Sequence, residues 1–215
     1  LYPEIADSVF KGVQSAIFDC EIVVVDNNGK SIFYGGINQR DKVVKSAEHR
    51  AKYPVKALLF DCIYLNGQVL SQKPYTERYQ LLRQSITDSS SIEVVRNIDN
   101  PKEYWEKVIV PENREGLVLK NPKAIYQAGQ RVDTQLKLKH YKRNNVIVDK
   151  LEPNPKGVKI YGHFELAGQT IQAEVQWSSM GCENIKTGDE VEVEYLDIVN
   201  NKLVQPHKVK GSVID

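Results

Sequence analysis

Hydrophobic and polar positions follow one style up to about residue 143 of this chain and another beyond it. In the first style, apolar runs with strand character alternate with polar stretches of helical spacing. Tyr2 to Val13 predicts a short helix, with Pro3 in the first turn and Ile5 and Val9 four apart. Ile17 to Val25 predicts a strand, Asp26-Asn27-Asn28-Gly29 a turn, and Ser31 to Tyr34 the returning arm of a hairpin. Ile37 to Lys52 is polar and compatible with helix. Val55 to Tyr64 predicts a second buried strand, closed by Asn66-Gly67. Tyr75, Tyr79, Leu82 and Ile86 share one face of a helix over Pro74 to Ile86. Asn100-Pro101 opens another helix as cap and first-turn proline, with Glu103 in its first turn. Leu117 to Lys120 and Thr134 to Lys139 predict two further strands.

From Asn144 onward the elements are short and β-rich: Val146 to Leu151, Val158 to Phe164, Thr170 to Trp177, Asp189 to Ile198 and Lys202 to Val204. Turn signals at Asn154-Pro155, Ala167-Gly168, Thr187-Gly188 and Asn200-Asn201 separate them. About five strands without a long helix fit a small barrel of the oligonucleotide-binding kind, and a small sandwich fits the same pattern.

Composition narrows the class. Of 215 residues, 41% are hydrophobic and 27% charged, which excludes a disordered chain. No apolar run approaches the roughly 20 residues that cross a bilayer, and no basic-then-apolar leader opens the sequence, so an intracellular protein without a membrane partner is expected. Cys20, Cys62 and Cys182 are odd in number and widely spaced, and read as buried free thiols. The chain starts at Leu1 and its only methionine is Met180, so a segment preceding Leu1 is expected. The net charge of +1 conceals a split: residues 144–215 carry seven basic and eleven acidic side chains, leaving the first 143 with a net of +5. The basic excess peaks in Lys137-Leu138-Lys139-His140-Tyr141-Lys142-Arg143, a weak attraction for a polyanion.

Three short stretches carry candidate chemistry. In Gln135-Leu136-Lys137-Leu138-Lys139, strand alternation puts the leucines on one face and the lysines on the other. The lysine face is either an ordinary wet face or a pair gripping one phosphate, where positive charge stabilises phosphoryl transfer. Asp19 and Glu21 share a face of an apolar strand, where carboxylates need a partner or a cation. Glu115, just ahead of Gly116-Leu117-Val118-Leu119-Lys120, is placed similarly. Phe60 is either a core residue or a platform for a nucleobase, a contact worth about 1–3 kcal/mol.

Taken in order, Phe18-Asp19-Cys20-Glu21-Ile22, Phe60-Asp61 leading to Tyr64-Leu65-Asn66-Gly67, Glu115-Gly116-Leu117-Val118-Leu119-Lys120 and Leu136-Lys137-Leu138-Lys139-His140-Tyr141 resemble motifs III, IIIa, IV and V of ATP-dependent DNA ligases. The intervening Tyr126, Gly129 and Arg131 also fit. The resemblance covers about 120 residues. It implies an α+β fold: an antiparallel-sheet, ATP-grasp-like nucleotidyltransferase domain over residues 1–141, followed by an all-β OB-fold barrel over 144–215. It further implies ATP with Mg2+ or Mn2+, nicked double-stranded DNA as substrate, and a monomer when complete. By position, Phe60 would stack on adenine, and Glu21 and Glu115 would contact ribose or hold the divalent metal. Lys137 and Lys139 would contact the α-phosphate and offset transition-state charge, Asp19 would support its strand, and Lys142 and Arg143 would contact DNA. In the family a lysine–AMP adduct forms, AMP passes to a 5′-phosphate at a nick, and that phosphate joins a 3′-hydroxyl.

The departures are specific. The family's nucleophile is the lysine of Lys-x-Asp-Gly, and no Asp-Gly dipeptide occurs in this sequence. A separate upstream segment is expected to carry it, because Leu1-Tyr2-Pro3-Glu4-Ile5 resembles the text shortly after that motif; without an amine, covalent adenylation has no acceptor. Cys20 stands for the glycine of motif III, Gln135 for a common tryptophan, and Pro206-His207-Lys208-Val209-Lys210 is a degenerate form of basic motif VI. Two alternatives stay open: an RNA ligase or capping-type nucleotidyltransferase, and a non-catalytic nucleic-acid-binding remnant using Tyr161, Phe164 and Trp177 on the barrel.

Overall fold

A computed structural model describes residues 2–6, 10, 12–27, 29, 31–32, 36–41, 46–178 and 184–209. The chain groups into two compact units, residues 1–101 with 118–137 and residues 102–117 with 138–215.

In the first unit, α1 (Pro3–Ala6) is shorter than the helix expected to Val13: Phe10 forms an isolated antiparallel bridge to Ile86 and Gly12, at φ 63°, lies in a turn, while residues 7–9 and 11 lie outside the described residues. Strand β1 (Ala16–Val25) turns at Asp26 into β2 (Ser31–Ile32), and Phe33 and Tyr34 of the expected hairpin arm lie outside the described residues. The polar stretch that follows forms α2 (Gly36–Asp41) and α3 (Ala47–Lys52), the latter capped by the Ser46 hydroxyl accepting the His49 amide. Next come β3 (Val55–Leu65), β4 (Gln68–Val69), α4 (Tyr75–Ser85) and β5 (Ile92–Val94). The sheet runs β2-β1-β3-β4, with β5 parallel to β3 on the edge that β4 also uses. Helix α4 covers the sheet, burying Ala57, Leu59, Cys62, Leu82, Ile92 and Val94 in one core.

The β1–β3 ladder is antiparallel with two irregularities. Ile17 faces Tyr64 and Phe18 faces Cys62; Asp19 faces Asp61 and Cys20 faces Leu59. Ile63 and Phe60 are thus extra residues on β3, and each bulge re-aims the side chains around it. Cys20 is exposed and only Cys62 is buried, which corrects the expectation of buried thiols for Cys20; Cys182 lies outside the described residues. Cys20 lies mid-strand opposite Leu59, directly after the second register shift, where β1 is exposed at both Cys20 and Glu21.

Helix α5 (Pro101–Tyr104) continues as a π-helical turn, Trp105–Ile109, and β6 (Gly116–Lys120) pairs with β7 (Gln135–Lys139) as a two-stranded sheet. Leu136 is 58% exposed and Leu138 46% exposed, so the leucine face of β7 is open to solvent. A two-stranded sheet has no second layer of its own to cover it.

The second unit is dominated by β8 (Lys142–Asn154), β9 (Gly157–Leu166), β10 (Gln169–Ser178), β11 (Glu190–Tyr195), β12 (Asp197–Val199), β13 (Lys202–Val204) and β14 (His207–Lys208). The pairings β8–β9, β9–β10, β10–β14, β14–β11 and β11–β8 close a five-stranded barrel, so the sandwich is excluded. Strict alternation builds it: Val158, Ile160 and Phe164 on β9 and Ile171, Ala173, Val175 and Trp177 on β10 point inward. Phe164 and Trp177 are therefore core residues and not stacking surfaces, a correction to their candidacy for binding bases. Tyr161, of opposite parity on β9, faces outward with the Lys150 and Lys159 ammoniums 5.3 and 5.4 Å from its ring centroid.

Gly162 belongs to the inward set of β9, and a Cβ there would lie 2.3 Å from the Ile147 carbonyl oxygen and 2.6 Å from a Val146 methyl. Gly162→Ala is expected to destabilise the barrel by about 2–3 kcal/mol through overpacking. Both tryptophans, Trp105 and Trp177, belong to the second unit. Urea unfolding followed by tryptophan fluorescence therefore reads this loss directly.

Candidate active site

In the first unit the chemistry gathers around the Phe60 bulge. Register places Asp19 directly opposite Asp61, and like charges in that position destabilise a sheet unless neutralised. Asp61 is 1% exposed. Arg78, on the buried face of α4, donates Nε–H and Nη2–H to its two oxygens, each at 2.8 Å. The remaining Arg78 nitrogen, Nη1, reaches the carbonyls of Lys73 at 2.5 Å and Ala124 at 3.0 Å, so every face of the guanidinium is used. Ala124 and Pro122 also accept the Tyr75 and Thr76 amides, which would otherwise be unpaired at the start of α4.

Tyr126 completes the pair from the other side. Its hydroxyl donates to Asp19 Oδ2 at 3.1 Å, and burial, followed by that carboxylate, raises its phenol. Lys120 lies 4.0 Å from Asp61 Oδ2, donates to the Phe60 carbonyl at 3.3 Å, and sits 4.8 and 4.5 Å from the Phe60 and Tyr75 ring centroids. Its burial lowers the ammonium pKa, against the raising pull of Asp61 and Asp19. Burial, followed by Asp61, pushes the Tyr75 phenol up to about 12. Glu21 follows Asp19 on the same face of β1 and is exposed.

The second unit holds the other set. Glu115 Oε1 and Lys139 Nζ form an ion pair at 3.1 Å, and the His140 amide donates to the Glu115 carbonyl at 2.8 Å. Gly116, at φ 146°, makes this approach possible: a Cβ there would lie 2.0 Å from the Leu138 carbonyl oxygen. Lys139 also donates to Gln205 Oε1 at 3.2 Å. Lys142 pairs with Asp197 at 2.8 Å, and Arg143 with Glu194 through two nitrogens at 2.6 and 2.9 Å. Lys137 is exposed at the end of the first unit's share of β7. Among the described residues, no three or more His, Cys, Asp or Glu side chains cluster as a metal site.

Arg78 lies outside every motif of the sequence, and Lys120 stands at the end of the motif IV stretch without an assigned role. The available signal was Arg78 itself, a cation in the stripe Tyr75, Arg78, Leu82 and Ser85 that α4 buries. A buried Asp61 on an apolar strand called for such a partner.

Removing Arg78 takes both guanidinium hydrogen bonds from the buried Asp61 carboxylate and leaves Lys120, 4.0 Å away, as its nearest cation. Arg78→Met is expected to cost about 3–5 kcal/mol, and adding Asp61→Asn to restore part of it, measured by urea unfolding with far-ultraviolet circular dichroism. Cys62 offers a second test. Burial, followed by Asp61, pushes its thiol from 9.0 to about 11. The folded state then keeps a proton that the unfolded state loses, so this stabilisation is complete below pH 9 and is lost as pH rises toward 11. Unfolding curves at pH 8 and pH 10.5 should show a steeper loss for the parent chain than for Cys62→Ala.

The family described as "ATP dependent DNA ligase domain" matches residues 1–139. A probable DNA ligase of Aquifex aeolicus is 33% identical over 163 residues, 70% of this chain and 27% of that protein. The DNA ligase of fowlpox virus is 31% identical over 159 residues, again 70% and 27%. DNA ligase 2 of Methanosarcina acetivorans is 35% identical over 148 residues, 64% and 26%. The matched stretch is about a quarter of the length of these relatives. Among solved structures, Pmar-Lig_PreS3 is similar with a TM-score of 0.62 at 18% identity, covering 90% of this chain and 50% of that one. The ligase domain of LigD from M. tuberculosis has a TM-score of 0.50 at 18% identity, covering 90% and 72%. At those identities the structural likeness establishes the fold, α+β with antiparallel sheets and a closed five-stranded barrel. The family match over residues 1–139 goes further, and by it this chain belongs to the ATP-dependent DNA ligase domain family.

Proposed function

We infer that this chain is the nucleotide- and DNA-handling part of an ATP-dependent DNA ligase that seals nicks, acting inside the cell with a lysine supplied by another segment. The single observation that carries the reading is the Glu115–Lys139 ion pair at 3.1 Å, which links motif IV to motif V. A carboxylate and an ammonium held together beside a glycine with no room for a side chain make a rigid polar pair. Such a pair suits phosphoryl transfer, in which fixed charges must meet charge developing on the phosphate.

In the first step a lysine amine attacks the α-phosphorus of ATP, the N–P bond forms and pyrophosphate leaves. Lys137 and Lys139 offset the charge on the α-phosphate oxygens. Phe60 stacks on adenine, and Glu21 and Glu115 accept hydrogen bonds from ribose hydroxyls. In the second step an oxygen of the nick's 5′-phosphate displaces the lysine from the adenylate phosphorus. In the third the 3′-hydroxyl attacks that 5′-phosphorus and AMP leaves. Lys142 and Arg143, at the start of β8, contact the DNA backbone by exchanging carboxylate partners for phosphates.

Single exposed or half-exposed carboxylates such as Glu21 and Glu115 fit a Mg2+ ion held mainly by nucleotide phosphates and water. That ion, when bound, supplies positive charge to the triphosphate; Mn2+ has the same donor preference.

Since Lys-x-Asp-Gly does not occur in the chain, labelled ATP with magnesium should leave no covalent AMP on these 215 residues alone. Adding a polypeptide that carries the motif should allow adenylation and nick sealing. Lys137→Ala or Glu115→Ala should then lower sealing by at least about a hundredfold. An AMP adduct on a lysine of this chain, or sealing that survives both substitutions, overturns the reading.

A further inference from the structure

The edge of β3 opposite β1 is interrupted. Strand β5 pairs there with Ala57–Leu59 and β4 with Tyr64–Leu65, and the Leu70 amide donates to the Ile63 carbonyl at 2.7 Å, leaving Phe60 to Cys62 between two partners. On the β1 side the register skips Phe60 as well. A residue that is extra in one ladder and between strands in the other depends on side chains to fix it.

Lys120 supplies that fixing. Its closest polar contact is the Phe60 carbonyl at 3.3 Å, and the same ammonium lies 4.8 Å from the Phe60 ring centroid. Neutralising Asp61 is not its main task, because Arg78 already holds both Asp61 oxygens at 2.8 Å while Lys120 stands 4.0 Å away. The Lys120 side chain is only 12% exposed, enclosed by the Phe60 and Tyr75 rings. Reaching a phosphate would mean giving up all of these contacts.

We propose that Lys120 is a positioning residue for Phe60: by binding the carbonyl and one side of the ring, it locks the bulge so that the ring is presented for stacking on a purine base. The inference rests on the reading of Phe60 as the base-stacking residue. It is local to the first unit and separate from the Glu115–Lys139 pair.

Two measurements on the 215-residue chain test it. The first is the affinity for ATP and for inorganic tripolyphosphate, which has no base, in Lys120→Met, Lys120→Arg, Phe60→Ala and the Lys120→Met/Phe60→Ala double variant. The second is amide hydrogen exchange at Phe60 to Ile63 without any ligand. Phe60→Ala should weaken ATP binding about tenfold. Lys120→Met should weaken it about fivefold, Lys120→Arg should restore most of that, and the double variant should bind no worse than Phe60→Ala. Tripolyphosphate affinity should not change, and exchange at the bulge should quicken in Lys120→Met while the barrel amides stay protected. Additive effects, or a loss of tripolyphosphate affinity that makes Lys120 a phosphate ligand, overturn the proposal, as does unchanged exchange at the bulge. If Phe60→Ala leaves ATP binding unaltered, the stacking role of Phe60 fails, and exchange still decides whether Lys120 holds the bulge.

Discussion

Asp61 brings a carboxylate into a strand where almost no solvent reaches it, and Arg78 meets both its oxygens with the Nε–Nη2 edge of a guanidinium. Neither group could stay there alone, since an unpaired buried charge costs more than the attraction of an exposed pair returns. Because Arg78 sits on α4 and also holds the Lys73 and Ala124 carbonyls, one interaction joins the central strand, the covering helix and the chain approaching Tyr126. Tyr126 then reaches back to Asp19, across from Asp61. The carboxylate face of β1 and the aromatic bulge of β3 therefore take their positions from a polar pair, beside a core that is apolar.

That dependence explains what was legible in the sequence. The long strands of the first unit announced themselves through apolar runs, and β9 and β10 through alternation, which requires only local information. Strands β4, β5 and β14, two or three residues long, have no period to detect. The predicted strand over Asp189 to Ile198 breaks at Leu196 into β11 and β12, because the β11 pairing with β8 ends at Tyr195 and β12 turns to β13. The motif residues, Lys120 among them, were visible as an ordered series, but what Arg78 and Lys120 contact was not. They lie 17 and 59 residues from Asp61, and no spacing rule spans a helix or a sheet crossing.

The barrel shows how a count can succeed with a different membership. Five strands were expected, and five close the ring, yet the closing member is β14 from the segment read as a degenerate basic motif. His207 lies 3.2 Å from Glu194 and edge-on to Tyr141, and the Lys208 ammonium is 5.2 Å from the Trp177 ring. Its backbone bridges β10 and β11, so those basic side chains are tied to barrel closure as well as to any charge they carry.

A similar double duty operates at Glu115-Gly116. Without a Cβ, Gly116 lets the Leu138 carbonyl occupy the space a side chain would need. The same close approach brings the backbone of Glu115 to the His140 amide and its carboxylate to Lys139. A larger residue after Glu115 would push the two strands apart and lengthen the ion pair, even with both charged partners unchanged. The dipeptide is thus a single physical device: the glycine sets the distance at which the glutamate works, and neither residue type has that effect without the other.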